Sequence, residues 1–156
     1  MTQKELNKDA LIRYMDFQGW HYECVADDET RYIAKLGMNI GGRLSSIRLF
    51  TEANAHTIQS VGVCPINADE ASRPMVAEYI TRANYGLMVG KFEMDYSDGE
   101  VRFQSCQSCT QGVPHQKDIE RIVDMPIVMF HKYGDGLVKS LLGLGNPEAD
   151  IREIEG

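Results

Sequence analysis

Apolar residues recur at helical spacing where the chain begins. Leu6, Ala10, Ile12, Tyr14, Met15 and Phe17 lie among polar residues and predict a first helix over 3–18, with Gly19 as its stop. From Trp20 the period drops to two: Trp20, Tyr22 and Cys24 alternate with His21, Glu23 and Val25, and Asp27-Asp28-Glu29 marks a turn before a second strand over 30–36. Residues 20–36 therefore read as a hairpin. The Gly41-Gly42 pair then breaks the chain, and two further strands follow over 44–51 and 56–64, around a polar turn at 52–55. Pro65 cannot donate to a sheet ladder, so the strands end there.

A second helix begins near Ser72, with Asn67 or Ser72 as its cap and Pro74 in its first turn. Val76, Tyr79, Ile80, Ala83 and Leu87 form one apolar stripe along it. After Gly86 and Gly90 comes the clearest local signal, a tight hairpin. Phe92, Met94, Tyr96, Val101 and Phe103 share one face, Lys91, Glu93, Asp95, Arg102 and Gln104 face water, and Asp98-Gly99 supplies a turn that tolerates positive φ. A third helical region starts at His115 on Ile119, Ile122, Val123, Ile127 and Phe130. Pro126 should kink or restart it, Gly134-Asp-Gly136 should interrupt it, and residues 137–142 add a last apolar turn. The order is α-β-β-β-β-α-β-β-α: a single α+β domain over 1–145 with an acidic, irregular tail over 146–156.

Composition changes this picture little but limits the partners. A chain of 156 residues suits one core. Its 23 Asp and Glu outnumber 16 Lys and Arg, and no basic block stands out. Nucleic acids and anionic membranes both need a basic footprint, so neither is expected as a partner; an acidic surface keeps a protein soluble and attracts basic segments. The first residues carry no apolar leader run, no apolar stretch is long enough to span a membrane, and four scattered cysteines are too few for a disulfide framework. The expected location is cytoplasmic, with thiols reduced.

Candidate chemistry is sparse. Cys106-Gln-Ser-Cys109 is the one spacing that resembles a metal or redox pair. Two thiolates at i and i+3 grip zinc from a turn, but point to opposite faces along a regular strand. Cys24, Cys64 and His115 are the spare ligands, and a metal- or thiol-dependent protein using Cys106 and Cys109 is the alternative reading. His21-Tyr-Glu23 with that pair imitates the zinc deaminase signature, yet no proline precedes Cys106 and His21 falls on a strand. His56, His115 and His131 have no evident nucleophile and acid partner, and no nucleophile elbow or phosphate loop occurs. Met125 and Met129, one helical turn apart beside Pro126, offer an adaptable apolar face, although core packing accounts for them as well. No catalytic, cofactor-binding or metal residue is assigned.

The stretch Arg73-x-x-Val76-x-Glu78, Asn84, Gly90-Lys-Phe92-Glu-Met-Asp95 and Gly99-Glu-Val101-Arg-Phe103 resembles the bacterial YbjN-like family, labelled sensory-transduction regulators. The resemblance covers about thirty residues closely. It implies a type III secretion chaperone-like fold: an antiparallel, curved sheet of five to six strands with helices on one face. It also implies no catalytic residues and no cofactor, and partners that are proteins: an extended peptide segment, or a second copy in a homodimer. The expected function is a non-enzymatic protein-binding or chaperone-like regulatory domain.

Overall fold

Thr2 starts the first helix through a reciprocal cap. Its hydroxyl accepts from the Glu5 amide while the Glu5 carboxylate accepts from the Thr2 amide. In the computed structural model, which describes residues 1–156, this helix is α1, Gln3–Phe17. It buries Ala10, Leu11, Tyr14 and Met15, whereas Phe17, expected on that stripe, points to solvent. Four strands follow, β1 Glu23–Asp27, β2 Arg31–Gly41, β3 Ser45–Asn54 and β4 Thr57–Val63. Then come α2 Arg73–Asn84, β5 Lys91–Met94, β6 Val101–Ser108, α3 Gln116–Leu141 and α4 Pro147–Glu155.

All six strands form one antiparallel sheet in the order β1-β2-β3-β4-β6-β5. The helices lie on one face of it. Alternation in β2 and β3 turns Tyr32, Ala34 and Leu36, and Ile47, Leu49 and Ala53, toward α1 and α3, and leaves Lys35, Gly37, Arg48 and Phe50 on the other side. Two apolar clusters fill the covered face. One is built on Phe92, Phe103, Phe130 and Tyr133 beneath α2 and α3, the other on Leu11, Tyr14, Leu49 and Ile58 beneath α1. The edge-to-face stacking of Phe92 on Phe103, Phe130 and Tyr133 joins the late hairpin to α3.

The α2–hairpin unit is fastened by Asn84. Its side chain accepts from the Phe92 amide at 2.7 Å and donates to the Phe92 carbonyl at 2.8 Å, so the end of α2 is pinned to the start of β5. The helix therefore stops at Asn84, short of Leu87. Ser72 occupies the cap position without a side-chain cap bond, and Asp69 accepts from its amide instead. The hairpin ladder is shorter than its alternation suggests. β5 ends at Met94, and Tyr96 lies beyond it in the turn, exposed. Gly99, at φ +79°, is required there, since a Cβ would run into the Ala68 backbone.

Two expectations for the C-terminal part are corrected. Pro126 does not divide the third helix, and Gly134-Asp-Gly136 does not interrupt it; α3 runs unbroken for 26 residues. Proline at 126 has no amide to give the Ile122 carbonyl, and its ring crowds the turn before it. The sheet supplies the missing donors: Ser105 Oγ donates to the Ile122 carbonyl and Ser60 Oγ to the Val123 carbonyl. Gly62 leaves room for the proline ring, and Gly136 leaves room for Tyr79, whose hydroxyl donates to the Tyr133 carbonyl at 2.6 Å. These glycines permit close packing. The tail over 146–156 is also not irregular. Asn146 caps α4 by accepting from the Ala149 amide, Pro147 takes the first turn, Ile151 is buried in the α2–α3 cluster, and Glu155 accepts from the Tyr133 hydroxyl. The tail is part of the folded unit.

Candidate functional site

The face of the sheet that no helix covers is not uniformly polar. A single row of facing residues crosses it: Lys35 opposite Phe50, Phe50 opposite Val61, Val61 opposite Gln104, and Gln104 opposite Lys91. The next row sets Ile33 opposite Glu52, Gln59 and then Cys106. Ile33, Phe50 and Val61 are half-buried by their neighbours alone and form a small apolar centre. Arg48 projects beside Phe50 and opposite Gly37, where nothing lies within 4 Å of the place a Cβ would occupy. The resulting hollow, about 370 Å³, is lined by His21, Tyr22, Glu23, Lys35 and Arg48. Lys35 and Arg48 are in no ion pair, whereas Arg102, on the same face, is held by Glu93.

The residues singled out for metal or thiol chemistry are not brought together. β6 continues through Cys106 to Ser108, so Cys106 projects onto the open face while Cys109 turns toward the apolar cluster under α1. On a strand this i, i+3 pair faces apart, and no two-thiolate grip forms. Burial pushes the Cys109 thiol up, and that of Cys64, deep in the core, up to about 11. Neither is a ready thiolate. His21 and Glu23 stand at the β1 margin, with β2, β3 and β4 between them and β6, a separation of roughly 19 Å at about 4.8 Å per strand. The deaminase arrangement is absent. His115 caps α3 by accepting from the Lys117 amide, His131 Nδ1 lies 2.7 Å from the Ile40 carbonyl oxygen, and His56 sits in the β3–β4 turn. No group of three or more His, Cys, Asp or Glu is placed to hold a metal ion. Met129 is buried and Met125 packs against the core. The methionines left at the surface are Met1 and Met88, the latter with the exposed Tyr85 in the α2–β5 loop.

Two carboxylates lie away from bulk solvent: Asp150, which accepts from the Asn146 amide and pairs with Lys139, and Asp124. Asp124 of α3 accepts from the Tyr14 hydroxyl at 2.7 Å, and burial raises its pKa above the usual carboxylate range while this hydrogen bond pulls it down. The contact ties α1 to α3 and lies on the covered side, away from the open face.

Sequence reasoning passed over the open face. The signal was present in the alternation Arg48-Leu-Phe50-Thr-Glu52, which puts an aromatic residue on the strand face that otherwise carries charge.

No helix is long and apolar enough to cross a membrane. No curated protein matches the chain. Among solved structures, the chain is similar to YbjN from E. coli, with a TM-score of 0.52 and 16% sequence identity over 81% of this chain and 93% of that one, a likeness of fold. The family model described as "YbjN: Putative bacterial sensory transduction regulator" matches residues 7–137, and the chain belongs to the YbjN family.

Proposed function

We propose that this protein is a regulatory domain that works by binding other proteins, in the manner of a chaperone, and not by catalysis. The observation that carries the reading is the apolar centre of the open sheet face, Phe50 with Ile33 and Val61, flanked by the unpaired cations Lys35 and Arg48. Apolar groups ringed by charge on an otherwise finished surface mark a contact site, and long side chains at its rim give orientation. The partner is another protein, met as a segment or as a second copy of this chain.

Affinity capture from native lysate with wild-type protein and with Phe50→Glu tests it. Wild type should retain a defined partner that the variant loses, while circular dichroism of the two coincides. Identical capture by both proteins would remove the open face from consideration.

A further inference from the structure

The sheet has a second unfinished surface, at its margin. β5 is four residues long and pairs only with the first half of β6, from Met94 opposite Val101 to Lys91 opposite Gln104. β6 itself runs on to Ser108, paired along its other side with β4 as far as Thr57. Beyond Gln104 the outer side of β6 has no neighbouring strand.

The backbone groups that face this gap follow from the ladder. In an antiparallel pair, successive residues direct their N–H and C=O alternately to one side and the other. The Cys64 amide donates to the Val101 carbonyl at 2.9 Å, and the Cys109 amide to the His56 carbonyl at 2.8 Å, so odd-numbered residues of β6 face β4. The Asp95 amide donates to the Glu100 carbonyl at 2.9 Å, so even-numbered residues face outward. Cys106 and Ser108 therefore present their N–H and C=O to the gap, and no turn or loop backbone bonds to either. β5 starts only at Lys91. Gly90, at φ +76°, lies so close to β6 that a Cβ would meet the Phe103 ring and the Gln104 carbonyl, and Val89 packs on the apolar cluster beneath α1.

Exposed edges are ordinarily guarded by charge, proline, a bulge or brevity. The opposite margin shows this: β1 is five residues long, bulged between Cys24 and Ala26, and clamped at Asp27 by Lys4 at 2.8 Å and Lys8 at 2.6 Å. β5 carries Lys91 and Glu93. Residues 105–108 are Ser, Cys, Gln and Ser, in unbroken register with β4. Next to them a mostly polar hollow of about 250 Å³ is lined by Gln107, Ser108, Thr110, His115 and Asp118, with Val113 and Pro114 as its apolar part.

We propose that the bare half of β6 takes an extended, uncharged segment of a partner protein as an added strand, bonded to the backbones of Cys106 and Ser108. This rests on the protein-binding reading and names a binding mode for it. The free donors and acceptors complement another extended backbone, the neutral side chains of residues 105–108 favour a neutral segment, and the hollow beside them has room for one small side chain against Val113 and Pro114. The free stretch is about 13 Å long and admits a core of four residues. A second copy is the poorer occupant. Pairing 106 and 108 of one copy with 108 and 106 of another brings Thr110 to Gln104, the place Lys91 fills, and each copy carries a net charge of −7.

Amide hydrogen exchange, read residue by residue by NMR, tests this with acetyl-Thr-Val-Thr-Val-Thr-amide and an analogue N-methylated at alternate amides. In the free protein the amides of Cys106 and Ser108 should exchange roughly 100-fold faster than those of Ser105 and Gln107. Millimolar peptide should slow the first pair about tenfold, and the N-methylated analogue should not. Ser108→Pro, which deletes an outward donor, should keep the thermal midpoint and lose the peptide, whereas Gln107→Pro, which cuts the β4 ladder, should lower the midpoint. The proposal falls if Cys106 and Ser108 are already protected in the free protein, a protection that grows with concentration identifying a second copy. It falls equally if both peptides act alike, if neither acts, or if Ser108→Pro unfolds as readily as Gln107→Pro. Capture that depends on Phe50 without peptide protection at 106 and 108 would sink the added strand alone. Peptide protection without any Phe50-dependent partner would sink the open face alone.

Discussion

The two faces of the sheet use their side chains in opposite ways. On the covered face even the polar residues are committed, Ser60 and Ser105 to carbonyls of α3 and Thr51 to the Met15 sulfur. On the open face apolar residues stand without a covering element, and Lys35 and Arg48 stand without a counter-charge. One face holds the fold together, and the other has chemistry left over.

The largest test of that contrast sets two phenylalanines against each other. Phe103→Ala empties a fully buried site between Phe92 and the helices and should cost about 3–5 kcal/mol. Phe50→Ala, on the open face, should cost less than about 1 kcal/mol in denaturant unfolding. Equal losses would mean that the open face is part of the core.

A smaller effect is expected where the sheet meets Pro126. Ser105→Ala leaves the Ile122 carbonyl without its donor and should cost about 1–3 kcal/mol. In a Pro126→Ala background the helix provides its own amide, so the same serine change should cost less, and a double-mutant cycle measures the coupling. Additive changes would show that serine and proline act independently.

The smallest effect concerns Tyr14 and Asp124. Because burial raises the Asp124 pKa, the folded protein holds a proton there at pH values where the unfolded chain has released it. Stability from this group is thus present below the ordinary carboxylate range and declines as pH rises through that range toward the raised value. Tyr14→Phe removes the hydrogen bond that lowers the pKa, so the carboxyl titration followed by ¹³C NMR should move to higher pH. A shift to lower pH would contradict the assigned cause.

The strands and first two helices were legible because each depends on neighbours in sequence: Gly41-Gly42 and Asp98-Gly99 turn the chain with their own φ angles, and the Val76–Tyr79–Ile80–Ala83 stripe needs only helical periodicity. The later helices were less so. Pro126 and Gly136 look like breaks until Ser105 and Tyr79, distant along the chain, are seen beside them. The tail looked irregular for its acidity, though Asn146-Pro147 and Ile151 gave a cap, a first turn and one buried contact. The candidate surfaces were the least legible part. An uncovered face and a half-paired margin are defined by which elements are missing next to them, and sequence periodicity registers only the residues that are there.

Pro126 also bears on how the molecule assembles. The donors that complete α3 come from residues 17 and 63 positions earlier in the chain, and Ser60 and Ser105 stand opposite each other on the paired strands β4 and β6. An excised 116–141 peptide would lack them and should fray at its middle, whereas in the whole chain docking and helix completion are one event. That dependence on remote partners links helix to sheet cooperatively, so that partial unfolding of β6 would be felt along the whole length of α3.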